Sequence, residues 1–174
     1  AGIPMNFIRS GGPPLYIETG IWSQLAYQEA LPYGVIDCKK PTQALTSDML
    51  EHAAYCHYVD NETIEGVYWS ALPSSKNAHI VCDMTSSLFA YQPRFERNHL
   101  IYAASQKNLG LPGMTLVIVH SDWLAESRPL SITPSTLNYT LQAQAQSRLS
   151  TPANISWLTA RFMVEWMLEQ GGLD

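Results

Sequence analysis

Two short runs constrain the fold of this chain more than anything else in it. His79-Ile80-Val81-Cys82 and Leu100-Ile101-Tyr102-Ala103 are almost unbroken apolar stretches, as parallel strands buried on both faces tend to be. Asp83 closes the first run, and Lys107 lies just beyond the second, 24 positions later. That interval accommodates a strand-to-strand crossover, so both side chains are expected at the carboxyl ends of neighbouring strands, where open α/β sheets bind ligands. A fixed carboxylate facing a lysine suits a cofactor held as a Schiff base, such as pyridoxal phosphate: the lysine takes the aldehyde and the carboxylate keeps the ring nitrogen protonated. The same pair also describes an aspartate at a strand end and a lysine in a solvated turn. Spacing alone leaves both readings open.

Other segments fit an α/β pattern. Leu15–Thr19, Gly34–Cys38, Ala54–Val59 and Met114–His120 read as strands, and Ile64–Trp69 continues from the third of these towards a loop. Ala1–Ile8 reads as a helix already under way. Ser23 is placed to cap a helix from Gln24 to Leu31, with Trp22 at the preceding turn. Short helices are expected over Ser47–Ala53 and from Ser121 to Ala125, and a long one from Pro152 to Gln170 with Ile155, Leu158, Phe162, Trp166 and Leu168 on its apolar side. Pro129–Thr151 has no clear period and reads as a long irregular excursion.

The composition narrows the function classes. The 174 residues suit one domain, and 46% hydrophobic residues allow a large core. Charged residues make up only 14%, against about 25% in ordinary soluble domains, which predicts that part of the exterior is covered by a partner subunit or by further chain. A net charge of −5 with 10 basic residues argues against a nucleic-acid partner. No apolar stretch approaches the roughly 20 residues of a membrane helix. Three widely spaced cysteines, Cys38, Cys56 and Cys82, point to a reducing, cytoplasmic setting.

Other constellations are weaker. His52, Cys56 and His57 are close in sequence, but Cys56 and His57 would face opposite sides of a strand, so no metal site is expected. Asp37, His57 and the serines lack a G-x-S-x-G elbow. Gly110-Leu111-Pro112-Gly113 lacks the spacing of a phosphate loop.

Tyr102-Ala103-Ala104-Ser105-Gln106-Lys107-Asn108-Leu109-Gly110, followed by Gly113–Val119, resembles the cofactor-lysine region of phosphoserine aminotransferases. Asn61-Glu62-Thr63-Ile64-Glu65-Gly66, Asp83-Met84-Thr85-Ser86-Ser87 and Glu165–Gly172 are similar to that family's motifs, in the same order, and the resemblance runs from end to end. It implies an α/β fold, the three-layer large domain of a fold-type-I aminotransferase with a mainly parallel sheet between helices. It also implies a homodimer with a shared active site, pyridoxal 5'-phosphate as cofactor, and transfer of an amino group between glutamate and 3-phosphohydroxypyruvate in the cytoplasm, in serine and pyridoxine biosynthesis.

By the same resemblance, Lys107 carries the cofactor and moves the proton, Asp83 pairs with the pyridine nitrogen, and Trp22 stacks on the ring. Thr63 bonds the phenolic oxygen and Gln106 lies beside the phosphate. Ser150 stands where the family usually has a phosphate-side Asn, and Thr151 matches a residue that reaches the phosphate of the neighbouring subunit's cofactor. The sequence also departs from the family at Ala104-Ser105, usually Gly-Ala, and at Ala90-Tyr91-Gln92, usually Ser-Arg-Pro. Residues 1–174 are expected to be a segment of the cofactor-binding domain lacking the N-terminal phosphate loop and the C-terminal small domain, and so not a competent transaminase alone. Two alternatives remain: a related aminotransferase or desulfurase of other specificity, and a non-catalytic α/β interaction module.

Overall fold

The computed structural model describes residues 1–9, 11–40, 45–69 and 77–173. In chain order the strands are β1 (Leu15–Ile17), β2 (Asp37–Lys39), β3 (Cys56–Val59), β4 (Asn61–Glu62), β5 (Val67–Tyr68), β6 (Ile80–Asp83), β7 (Leu100–Ala104) and β8 (Thr115–Val119). The helices are α1 (Gly2–Phe7), α2 (Ile21–Ala30), α3 (Ser47–His52), α4 (Ser121–Ala125), α5 (Tyr139–Gln144) and α6 (Asn154–Glu169). Six strands form the main sheet in the order β2-β1-β3-β6-β7-β8, and all neighbours run parallel except β7 and β8. This is the expected mainly parallel sheet between helices, with an antiparallel strand at one edge.

Strand parity divides the core into two layers. Leu15, Ile17, Cys56, Tyr58, Cys82 and Ile101 face one side, against Leu50 of α3 and Ala160 of α6. Tyr16, Val81 and Leu100 face the other, against Phe7 of α1, Ala30 of α2 and Trp123 of α4. Cys56 and His57 accordingly point to opposite faces, and among the described residues no group of three or more His, Cys, Asp or Glu side chains could hold a metal ion. None of the described helices is long and apolar enough to cross a membrane.

Several expectations change. Ile64–Trp69, expected to continue towards a loop, instead completes a two-stranded antiparallel hairpin, β4 with β5, that turns at Gly66 in a left-handed conformation (φ 69°). The 129–151 excursion contains a 3₁₀ turn (Ser135–Leu137) and α5. It is tied down by the fully buried Asn6, whose amide donates to the Leu137 carbonyl (2.8 Å) and accepts from the Tyr139 N–H (3.0 Å). On α6 the apolar side is not the buried side: Ile155, Phe162, Trp166 and Leu168 are 65, 56, 54 and 69% exposed, whereas Ser156 and Ala160 are buried. The helix docks through small residues because the loop beneath it comes very close. A Cβ on Gly113, itself at φ 124°, would lie 2.7 Å from Ser156 Oγ. The same hydroxyl donates to the Pro112 carbonyl at 2.6 Å.

Candidate active site

The start of α2 is built from a distance. Its N-cap position is Gly20, which has no side chain to satisfy the first-turn N–H groups. Ser23, expected as the cap, sits inside the helix at its third position, where its hydroxyl accepts from the Gly20 N–H (3.0 Å) and the Thr19 N–H (2.8 Å). The missing half of the cap comes from Glu62 on β4. Its carboxylate accepts from the Trp22 N–H at 3.0 Å, the Ser23 N–H at 2.8 Å and the Thr19 hydroxyl at 3.2 Å. Glu65 takes the Ile21 N–H at 2.9 Å. Two carboxylates at a helix N-terminus also suit its dipole. Their position explains the glycine, since a Cβ on residue 20 would meet Glu65 Oε2 at 2.6 Å and the Glu62 carboxyl carbon at 2.7 Å. Through this cap, the Asn61–Thr63 segment fixes Trp22. The indole, 43% exposed, donates from Nε1 to Thr63 Oγ1 at 3.0 Å.

Asp83 is the last residue of β6, in register with Tyr102 on β7. Its carboxylate accepts from the Thr85 N–H at 2.8 Å, and the neighbouring Thr85 and Tyr102 hydroxyls also favour its charged form. These donors favour the anion, but burial, aided by the nearby Glu62 carboxylate, outweighs them and holds the group above the ordinary aspartate range. A cationic partner at its open side would reverse that balance. Thr85 Oγ1 also accepts from the Ala104 N–H (3.3 Å), joining the ends of β6 and β7.

Lys107 lies three residues past β7, exposed, and its amine makes no hydrogen bond or ion pair with the described residues. Its loop is pinned on both sides. Fully buried Ser105 donates to the Leu111 carbonyl at 2.5 Å while its N–H reaches the Met114 carbonyl at 3.0 Å, and the Asn108 amide donates to the Leu88 carbonyl at 2.9 Å. The departure at Ser105 therefore adds a staple to the lysine loop. At the other departure, the Tyr91 hydroxyl bonds the Asp60 carboxylate, which also accepts from Ser87 Oγ at 2.5 Å. Burial raises the Asp60 carboxyl even so.

Trp22, Thr63, Asp83, Gln106, Lys107, Ser150 and Thr151 all line one open cleft of about 1490 Å³ at the carboxyl ends of the strands. The chemistry of this set fits pyridoxal phosphate: an unpartnered amine, a carboxylate with donors on its protein side, an exposed flat ring and several small donors. Thr151 lines the same cleft as Lys107, whereas the resemblance assigns it to the neighbouring subunit's site. Sequence reasoning missed Glu62 and Ser105 as individuals. Glu62 left one signal, a carboxylate between Asn61 and Thr63 in a segment otherwise reading as a turn.

The class-V aminotransferase family profile matches residues 22–174. The phosphoserine aminotransferase of Coxiella burnetii (strain Dugway 5J108-111) is 40% identical over 183 residues, covering 99% of this chain and 50% of that protein. That of Acinetobacter baylyi is 38% identical over 184 residues, covering 100% and 50%. Among solved structures, the PLP-bound phosphoserine aminotransferase of Trichomonas vaginalis superposes with a TM-score of 0.87 at 31% identity, covering 99% of this chain and 54% of that one. The enzyme from Bacillus circulans subsp. alkalophilus superposes with a TM-score of 0.85 at 32% identity, covering 99% and 50%. The chain thus spans about half the length of the curated relatives it matches. With a profile match over most of its length and the site residues gathered at the strand ends, the chain belongs to the class-V aminotransferase family.

Proposed function

We propose that this chain is the cofactor-bearing part of a phosphoserine aminotransferase, exchanging an amino group between glutamate and 3-phosphohydroxypyruvate to give phosphoserine and 2-oxoglutarate in serine biosynthesis. The observation that carries the reading is the convergence of Asp83 and Lys107, at the ends of neighbouring parallel strands, with Trp22 and Thr63 on one cleft. When bound, pyridoxal phosphate supplies an aldehyde to receive the amino group and a ring that withdraws electrons.

With the cofactor bound, Lys107 Nζ would hold its aldehyde and, when free, would move a proton at the substrate carbon. Asp83 would keep the ring nitrogen protonated. Trp22 would cover one face of the ring. Thr63 Oγ1 accepts from the Trp22 indole, which leaves its own proton free for the phenolic oxygen. Gln106, Ser150 and Thr151 supply neutral donors to the phosphate, Thr151 to that of a second copy in a homodimer. A cytoplasmic setting agrees with three cysteines that are all free thiols.

The protein carrying this chain, given phosphoserine and 2-oxoglutarate, is expected to form glutamate, and a Lys107→Ala variant is not. Glutamate formation no greater than that of the variant overturns the assignment. Profiling other amino donors decides whether the specificity or the whole reaction class is at fault.

A further inference from the structure

His57, on β3, is a buried polar side chain that the reaction above leaves without work. It is fully buried, stacked on Tyr16 at 4.5 Å between ring centroids with 19° between the planes. Its Nε2 lies 3.0 Å from the Tyr102 hydroxyl, and its Nδ1 has no partner among the described residues. Tyr102 in turn is the register partner of Asp83 on β6, and both line the cleft. The three side chains adjoin one another along the wall of the cleft.

The direction of the protons follows from counting them. Burial drives the imidazole to about 3, so it is neutral and carries one N–H. Tyr102 has one O–H. A carboxylate only accepts, and the Asp83 carboxylate on the neighbouring strand is the acceptor for the Tyr102 proton, so Tyr102 offers His57 a lone pair. The imidazole proton must therefore sit on Nε2, and the bare Nδ1 lone pair is the group left without a partner. The opposite tautomer would bury an orphan N–H and force Tyr102 to choose between His57 and Asp83. Buried donors are rarely left orphaned.

We propose that His57 and Tyr102 are positioning residues for Asp83, forming a one-way donor line that fixes the Asp83 carboxylate as an anion with its free side turned to the cleft. Given the cofactor reading above, on which this role rests, the line holds the carboxylate that the pyridine nitrogen pairs with. Thr85 fixes the same carboxylate through its N–H. Glu62 is the acidic group opposing it. His57 acts through Tyr102.

The test uses the 174-residue chain, first without cofactor. Nitrogen-15 NMR is expected to show His57 as the Nε2–H tautomer from pH 7.5 to 5.5. Tyr102→Phe should break that single state, bringing in the Nδ1–H form, and raise the Asp83 midpoint, read from its side-chain carbon-13 shift, by about one unit, a tenfold change in proton affinity. His57→Gln, whose amide can replace the Nε2 donor, should leave the Asp83 midpoint nearer the unmodified value than His57→Leu does. A protein that merely needs bulk at these positions would not distinguish them. Pyridoxal phosphate affinity, read by near-visible absorbance, should fall about tenfold in Tyr102→Phe. A His57 found in the Nδ1–H form, or an Asp83 midpoint unchanged in Tyr102→Phe, overturns the donor line. Unchanged affinity with the line intact overturns its positioning role. If the unmodified chain forms no adduct at Lys107, it is the cofactor reading that fails, and the NMR result still decides the donor line.

Discussion

Removing Glu62 tests how the site is assembled, because this side chain, fully buried, joins the start of α2 to the Asn61–Thr63 segment. Glu62→Ala deletes the acceptor of two backbone N–H groups and one hydroxyl at 2.8–3.2 Å. Bonds to a charged acceptor contribute about 1.5–3 kcal/mol each, and losing an N-cap costs about 0.5–2 kcal/mol. Ser23 is buried, so its N–H is left without solvent, whereas water can reach the more open Trp22. We therefore expect a loss of about 3 kcal/mol for Glu62→Ala, and roughly half that for Glu62→Gln, which keeps one acceptor oxygen but turns an amide towards an N–H. Urea unfolding at constant m gives the global value. Hydrogen exchange at the Trp22 and Ser23 amides gives the local one, with protection falling about 100-fold in Glu62→Ala. Glu65→Ala, which removes only an exposed acceptor at 2.9 Å, should cost less than about 1 kcal/mol. If Glu62→Ala and Glu65→Ala cost the same, or if exchange at Trp22 and Ser23 is unchanged, the distant cap does not hold this helix.

Gly113→Ala should destabilise by roughly 2–3 kcal/mol in the same assay, because the added methyl meets Ser156 Oγ at 2.7 Å on a backbone at φ 124°. His57 should impose a pH slope. Above its ordinary value of 6.5 both folded and unfolded forms are neutral; below it the unfolded chain takes up a proton that the folded chain refuses until about pH 3. Stability is thus lost as pH falls through that window, at about 1.4 kcal/mol per unit from this group. His57→Gln should lower the stability curve between pH 6 and 4.5 by a smaller slope than the unmodified chain, whatever its absolute stability, and an equal slope would show that His57 is not buried neutral.

The parallel strands were legible because a strand covered on both faces must be apolar throughout, and the two runs ending near Asp83 and Lys107 announce where their chemistry emerges. What remained hidden depends on contacts between residues far apart in sequence. Glu62 caps a helix that begins 41 positions earlier, so no local pattern around Gly20 reveals its partner, and Ser23 looks like the cap because Ser is the usual one. On α6 the hydrophobic period is real, yet the loop containing Gly113 comes so close that only Ser156 and Ala160 fit against the sheet. The reversal of β8 could not be read either: Met114–His120 has the same apolar signature whichever way it runs. His57 needed strand register before its neighbours, Tyr16 and Tyr102, could be known. Lys107 and Asp83 could be placed at strand ends from the apolar runs, but their spacing fits solvated turn residues equally well, and it was the motifs around them that favoured the cofactor reading.

The central claim is that Lys107 is the cofactor lysine. Titrating pyridoxal phosphate into the 174-residue chain, trapping with borohydride and mapping the modified peptide tests it directly. The account predicts a near-visible absorbance band that borohydride removes, with the label on Lys107 and its loss in Lys107→Ala; a label spread over other lysines, or no saturable band, would contradict it.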